Sequence, residues 1–88
     1  MLPIHKRHAL AYAERLCAGL PRRMQERREE RQMSKYALEQ CTGVSREMVN
    51  CIETGTSIPT LHLAAKLAHG LGMSLTELLG GLEQGAGL

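Results

Sequence analysis

The sequence predicts an all-α fold, and three observations carry that expectation. Phe and Trp are absent, so the apolar side chains are those of Leu, Ala, Met, Ile and Val, which suit helix packing better than a sheet or an aromatic-lined pocket. Apolar residues recur at spacings of three and four, as in Ala9, Ala13, Leu16 and Leu20. Helix-opening and helix-closing residues alternate: Ser34, Ser45, Thr60 and Ser74 are each followed by an apolar-patterned segment that ends near Gly43, Gly55, Gly72 or Gly80.

The elements follow in order. A first amphipathic helix is expected from about Ile4 to Ala18, ending before Gly19 and Pro21. Pro21 fits the first turn of a second helix running to about Arg31, whose surface is dense with charge and whose apolar anchors are Leu20, Met24 and then Met33. Ser34 caps a third helix through Leu38 and Cys41, and Gly43 suits the left-handed residue that closes it. Ser45 starts the next helix at once. Val44 before the cap staples onto Val49, which orients a helix whose buried side is Val49 and Ile52. Two short helices separated by residues 42–45 must cross at a large angle, the arrangement of a helix-turn-helix.

Ile58 precedes Pro59 and is therefore extended, after which Thr60 caps a nearly all-round apolar helix of Leu61, Leu63, Ala64, Leu67, Ala68 and Leu71, the expected hub of the core. Ser74 and Glu77 form a capping box that opens a last helix carrying Leu75, Leu78, Leu79 and Leu82, with a break expected at Gly80 and Gly81. The chain thus divides into an extra N-terminal helix at 1–19, a domain at 20–82 and a flexible tail at 83–88.

Composition narrows the classes of function. A chain of 88 residues makes one domain, and one of this size buries only about 60% of the surface its unfolded form exposes, so a dimer interface would add needed stability. Cys17, Cys41 and Cys51 lack metal-ligand spacing and are odd in number, which points to reduced thiols in the cytoplasm. The apolar run near the N-terminus is short and is broken by Glu14 and Arg15, so neither a signal peptide nor a membrane span is expected. Charge is uneven: residues 1–33 carry a net +4, residues 34–59 a net −1 and residues 60–88 a net −1. A basic third can attract phosphates, although a solvated helix face produces the same asymmetry.

No catalytic constellation is expected. His5 and His8 lie one turn apart and His62 and His69 two turns apart, with no third metal ligand placed beside either pair, so neither metal nor cofactor is called for. Ser45 has no base near it and reads as a cap.

Residues 34–79 resemble the Xre family, the lambda-repressor-like helix-turn-helix proteins of the Cro/CI type. The resemblance rests on SKYALEQCTGVSREMVNCIETG at 34–55, IPTL at 58–61 and LAHGLGMSLTELL at 67–79, with Arg23 and residues 27–31 similar to the first family helix. It implies a lambda-repressor-like five-helix domain with a helix-turn-helix, here preceded by an extra N-terminal helix, that binds double-stranded DNA as a transcriptional regulator. Three residues depart from the family's pattern: Glu39 replaces a small Ala, Arg27 an apolar residue and Lys35 a Gln. A carboxylate at 39 must point to the edge or find a cation, with the angle between the two helices shifting accordingly.

Carried over by position, the resemblance gives Arg46, Glu47, Met48, Asn50 and Cys51 the reading of bases in the major groove. The chemistry suits each role. Arg46 matches guanine O6 and N7, Glu47 accepts from cytosine N4, and Met48 or Cys51 touches a thymine methyl. Lys35, Ser45, Thr54 and Thr56 fall at positions expected to hold phosphates, and Arg28 lies opposite Glu53 as a structural ion pair. A homodimer on an inverted-repeat operator is expected, with the extra helix packing through Leu16 and Leu20 and His5, Lys6, Arg7 and His8 placed to touch DNA. The competing reading is an antitoxin, or another protein-interaction module of the same fold, that binds a toxin or other regulator and has weak or no affinity for DNA.

Overall fold

The structure, a computed structural model, describes residues 6–85 and contains five helices and no strand among them. The expected helix start at Ile4, the contacts of His5 and residues 86–88 of the tail lie outside the described residues. The helices are α1 (Lys6–Glu30), α2 (Lys35–Thr42), α3 (Arg46–Glu53), α4 (Leu61–Gly70) and α5 (Leu75–Gly85).

The largest difference from the sequence reading lies in α1, which is one helix of 25 residues with Pro21 inside it, not two helices parted at residues 19–21. Proline has no N–H, so the Cys17 carbonyl loses its helical donor, at a penalty of about 3 kcal/mol in a helix interior. Burial of Leu20 and Met24 on either side of Pro21 offsets it. Gly19 does not end the helix either. A Cβ at Gly19 would lie 2.7 Å from Cδ2 of Leu82, so this glycine permits close approach of α1 to α5.

The same contact explains why α5 does not break at Gly80 and Gly81. Leu82 beyond them packs against the core and against Gly19, which holds the helix through both glycines. At its other end the capping box is complete. The Ser74 N–H donates to Glu77 Oε1 at 2.9 Å, and the Glu77 N–H donates to Ser74 Oγ at 3.0 Å.

The helix-turn-helix is built as its punctuation requires. Ser34 Oγ accepts from the Ala37 N–H and Ser45 Oγ from the Met48 N–H, so each short helix begins on a side-chain cap. Between them Gly43 adopts a φ of 76°, a conformation that reverses the chain without penalty only for glycine. Thr42 adds a stitch not read from the sequence: its hydroxyl donates to the Leu38 carbonyl at 2.7 Å and accepts from the Val44 N–H at 3.1 Å. Val44 is thereby turned into the core.

One hydrophobic cluster joins all five helices, with Leu20 and Met24 from α1, Leu38 from α2, Val49 and Ile52 from α3, Leu67 and Ala68 from α4 and Leu78 from α5. α1 packs on α3 and α5, α2 on α3 and α4, and α4 on α5. α4, expected as the hub, packs on α2 and α5 and is no more central than the other helices, nor is it buried all round. Ala64, Leu67 and Ala68 face inward, whereas Leu61 in its first turn is 72% exposed, as is Ile58 just before it.

Gly80 is helical and a Cβ there would meet nothing within 4 Å. Gly80→Ala should therefore stabilise the fold by about 1 kcal/mol, whereas Gly19→Val, which drives a side chain into Leu82, should destabilise it. Urea unfolding of the two variants checks both signs.

Hydrogen bonds from Ser74, first from its backbone N–H, hold the Glu77 carboxyl below its ordinary range. A depressed carboxyl pKa adds stability that is full above the unfolded value of about 4.3 and is lost as pH falls through the folded value. The melting temperature should fall over that acidic window, and Glu77→Gln, which keeps an acceptor oxygen for the Ser74 N–H but cannot titrate there, should lose less. Melting curves from pH 7 down to pH about 3 test this.

Candidate nucleic-acid interface

α3 presents two unlike faces. Val49 and Ile52 are fully buried, and on the opposite side Arg46, Glu47 and Asn50 are exposed, with Met48 and Cys51 at the margins. Met48 also packs against the core, so only part of its side chain projects outward. The exposed residues occupy the first two turns of the helix, the end at which backbone N–H groups and the helix dipole favour anions.

Behind this face α2 supplies a second layer of contacts. Lys35 Nζ donates to Asn50 Oδ1 at 2.6 Å. Because a lysine only donates, the Asn50 amide N–H groups remain directed elsewhere, which suits Asn50 to an acceptor such as guanine O6 or a phosphate better than to the paired edge of adenine. Glu39 finds a cation, with Oε1 3.3 Å from Arg46 Nε, and the Arg46 guanidinium also lies over the Tyr36 ring, 5.1 Å from its centroid. Lys35 and Arg46 are thus matched by Glu39 and Glu47, leaving the face with no net charge.

The candidate phosphate-holding hydroxyls differ in readiness. Ser45 Oγ accepts its capping bond, which leaves its own proton to donate to an incoming oxygen. Thr54 Oγ1 donates to the Asn50 carbonyl at 2.9 Å and Thr56 Oγ1 to the Cys51 carbonyl at 3.0 Å, so both protons close the C-terminal end of α3. A phosphate there would have to take over from those bonds.

Arg28 and Glu53 meet in a two-pronged pair, Nε to Oε2 at 2.8 Å and Nη2 to Oε1 at 2.9 Å, with side-chain exposures of 11% and 3%. Arg28 Nη1 also donates to the Met33 carbonyl at 2.8 Å, tying the turn after α1 to the same guanidinium. The Glu53 carboxylate, by its hydrogen bond first and its charge second, holds the Arg28 proton beyond the usual arginine range, while burial acts in the opposite sense. Arg27, at a position where an apolar residue is usual in the resembled family, is also accounted for. Its Nε donates to the Leu71 carbonyl at the end of α4 at 3.1 Å, and its Nη1 lies 3.4 Å from Glu30.

A helix-turn-helix family model matches residues 24–78, a span that begins at the buried Met24 of α1, contains α2, α3 and α4 whole and ends at the buried Leu78 of α5. The chain belongs to this family, the Cro/CI-type proteins similar to Xre. It is accordingly a helix-turn-helix DNA-binding regulator of transcription, and the family is not one of enzymes. No curated protein and no solved structure matches the chain significantly. About the first five turns of α1, residues 6–23, lie outside the family span.

Among the described residues no group of three His, Cys, Asp or Glu is arranged to hold a metal, and no helix is long and apolar enough to cross a membrane. Tyr36 is the contact residue that sequence reasoning passed over. Its signal was available: one of two tyrosines in a chain without Phe or Trp, it stands two residues after the Ser34 cap and one turn before Glu39.

The Arg28 and Glu53 charges are desolvated together, so removing one strands the other. Arg28→Ala should reduce unfolding stability by about 3 to 5 kcal/mol, against at most about 1 kcal/mol for an exposed pair. Chemical denaturation measures the difference, and a loss under about 1 kcal/mol would refute burial of the pair.

Proposed function

We propose that this chain is a sequence-specific repressor that binds an inverted-repeat operator in duplex DNA as a homodimer, within the cytoplasm. The observation that carries the reading is the exposed stripe of Arg46, Glu47 and Asn50 on a helix whose opposite face is locked into the core. In this arrangement the N-terminal end of α3 enters the major groove. Arg46 grips guanine O6 and N7, Glu47 accepts from cytosine N4, and the Cys51 and Met48 margins meet thymine methyl groups. Lys35 and the Ser45 hydroxyl set the register on the phosphates, joined by Thr54 and Thr56 where a phosphate displaces their internal bonds.

Dimerisation is supported by an apolar strip on another side of the molecule. Leu16 of α1, Ile58 and Leu61 before and within α4, and Leu79 of α5 line one groove, and Ile58 and Leu61 are largely exposed. A single recognition helix buries too little surface for tight selective binding, and a two-fold pair places two such helices about 34 Å apart, one turn of duplex.

Binding to duplexes selected from a random pool, followed by anisotropy at two salt concentrations, tests the reading. Arg46→Ala should weaken the preferred site by about 1 to 3 kcal/mol and relax selectivity at one position in each half-site. Lys35→Ala should weaken all duplexes alike and lower the salt slope by about one unit. A protein that binds no duplex, yet binds a protein partner with little salt dependence, would overturn the proposal in favour of an interaction module or antitoxin.

A further inference from the structure

The Arg46 side chain is 58% exposed, long and flexible, yet it is held on two sides. Glu39 lies 3.3 Å from its Nε, and the Tyr36 ring lies under the guanidinium. Both partners stand on α2, whereas Arg46 opens α3, so the contacts cross the turn and do not belong to either helix alone. An exposed ion pair of this kind contributes little to stability. Its effect falls on the arginine.

We propose, resting on the DNA-binding reading above, that Glu39 is a specificity-determining positioning residue that acts through Arg46. Two consequences of the geometry support it. Glu39 meets the guanidinium at Nε and not at the two terminal amino groups, the end-on fork that matches two acceptors on one guanine edge. The side chain has also surrendered rotamer freedom before any DNA arrives, so gripping a base entails less further ordering.

Glu39 also acts on wrong sequences. Its carboxylate cancels the charge by which Arg46 would otherwise attach to any phosphate, and phosphates are the same on every duplex. Directed hydrogen bonds to a guanine edge survive that cancellation better than a diffuse attraction does, so the ratio of preferred to random binding rises. A carboxylate that merely repelled DNA at a distance would lower both affinities equally and leave the ratio unchanged.

The test is a double-mutant cycle in the full chain with two probes, the duplex selected from a random pool and a scrambled duplex of the same composition. Glu39→Gln, with Glu39→Ala as a second variant, is measured in the wild type and in the Arg46→Ala background, with circular dichroism and melting temperature recorded for each. In the wild-type background the preferred-to-scrambled ratio should fall about threefold or more, chiefly through tighter binding to the scrambled duplex. In the Arg46→Ala background it should not change. Tyr36→Leu should lower the ratio in the same direction, and Tyr36→Phe, which keeps the ring, should not. An unchanged ratio in the wild-type background, or an equal fall in both backgrounds, overturns the inference and leaves the DNA reading intact. A wild-type protein that prefers no duplex overturns both.

Discussion

Glu53 places a negative charge at the C-terminal end of α3, where the helix dipole is itself negative, and the fold tolerates it because Arg28 of α1 meets it with two hydrogen bonds in a nearly water-free site. The directionality of that fork matters as much as its charge. Apolar contacts of Val49 and Ile52 hold α3 against the core but allow it to slide and roll, whereas a planar guanidinium accepts a carboxylate in only a few poses. With its third donor on the Met33 carbonyl, Arg28 also sets where the chain leaves α1 for α2. The bearing of α3, and hence of every side chain on its outer face, depends on this pair.

Local punctuation was readable from residue types because each mark has one chemical meaning in its place. A Ser, followed by an apolar-patterned segment, has its hydroxyl oxygen available for the first N–H groups of a helix, and Ser34, Ser45 and Ser74 all act that way. Gly43 at the end of α2 likewise has one task. Gly19 has two possible tasks, to end a helix or to let another pass close to it, and only the tertiary partner decides between them. Leu82, more than sixty positions along the chain from Gly19, is that partner, and nothing local to Gly19 reveals it. Pro21 was misread for the same reason: the burial that holds α1 together around it is supplied by other elements.

The outer face of α3 was legible from the 3.6-residue period, since Val49 and Ile52 define the inner side and the rest follows. The contacts of α2 with that face were legible only as a problem. Glu39 stood out as a carboxylate that had to find a cation, but the spacing of 39 and 46 across a left-handed turn does not specify that Arg46 is the one, nor that Tyr36 would lie beneath it. The internal use of the Thr54 and Thr56 hydroxyls was hidden similarly, because a threonine after a helix serves equally well as a lid on the last carbonyls or as a donor to a ligand.

The continuity of α1 through Pro21 changes what its N-terminal half is mechanically. A segment joined by a break would be a tether, whose end samples a broad cloud of positions and finds a partner at modest effective concentration over many geometries. A continuous helix is a strut. Its exposed first turns, beginning at Lys6, stand at a fixed bearing from the Arg28 anchor, about 33 Å away by helical rise. A strut rewards only the partner whose surface lies at the right distance and angle, and it excludes others by collision. The same stretch of chain therefore behaves as a gauge of neighbouring shape, with Pro21 as the one place where the gauge can flex.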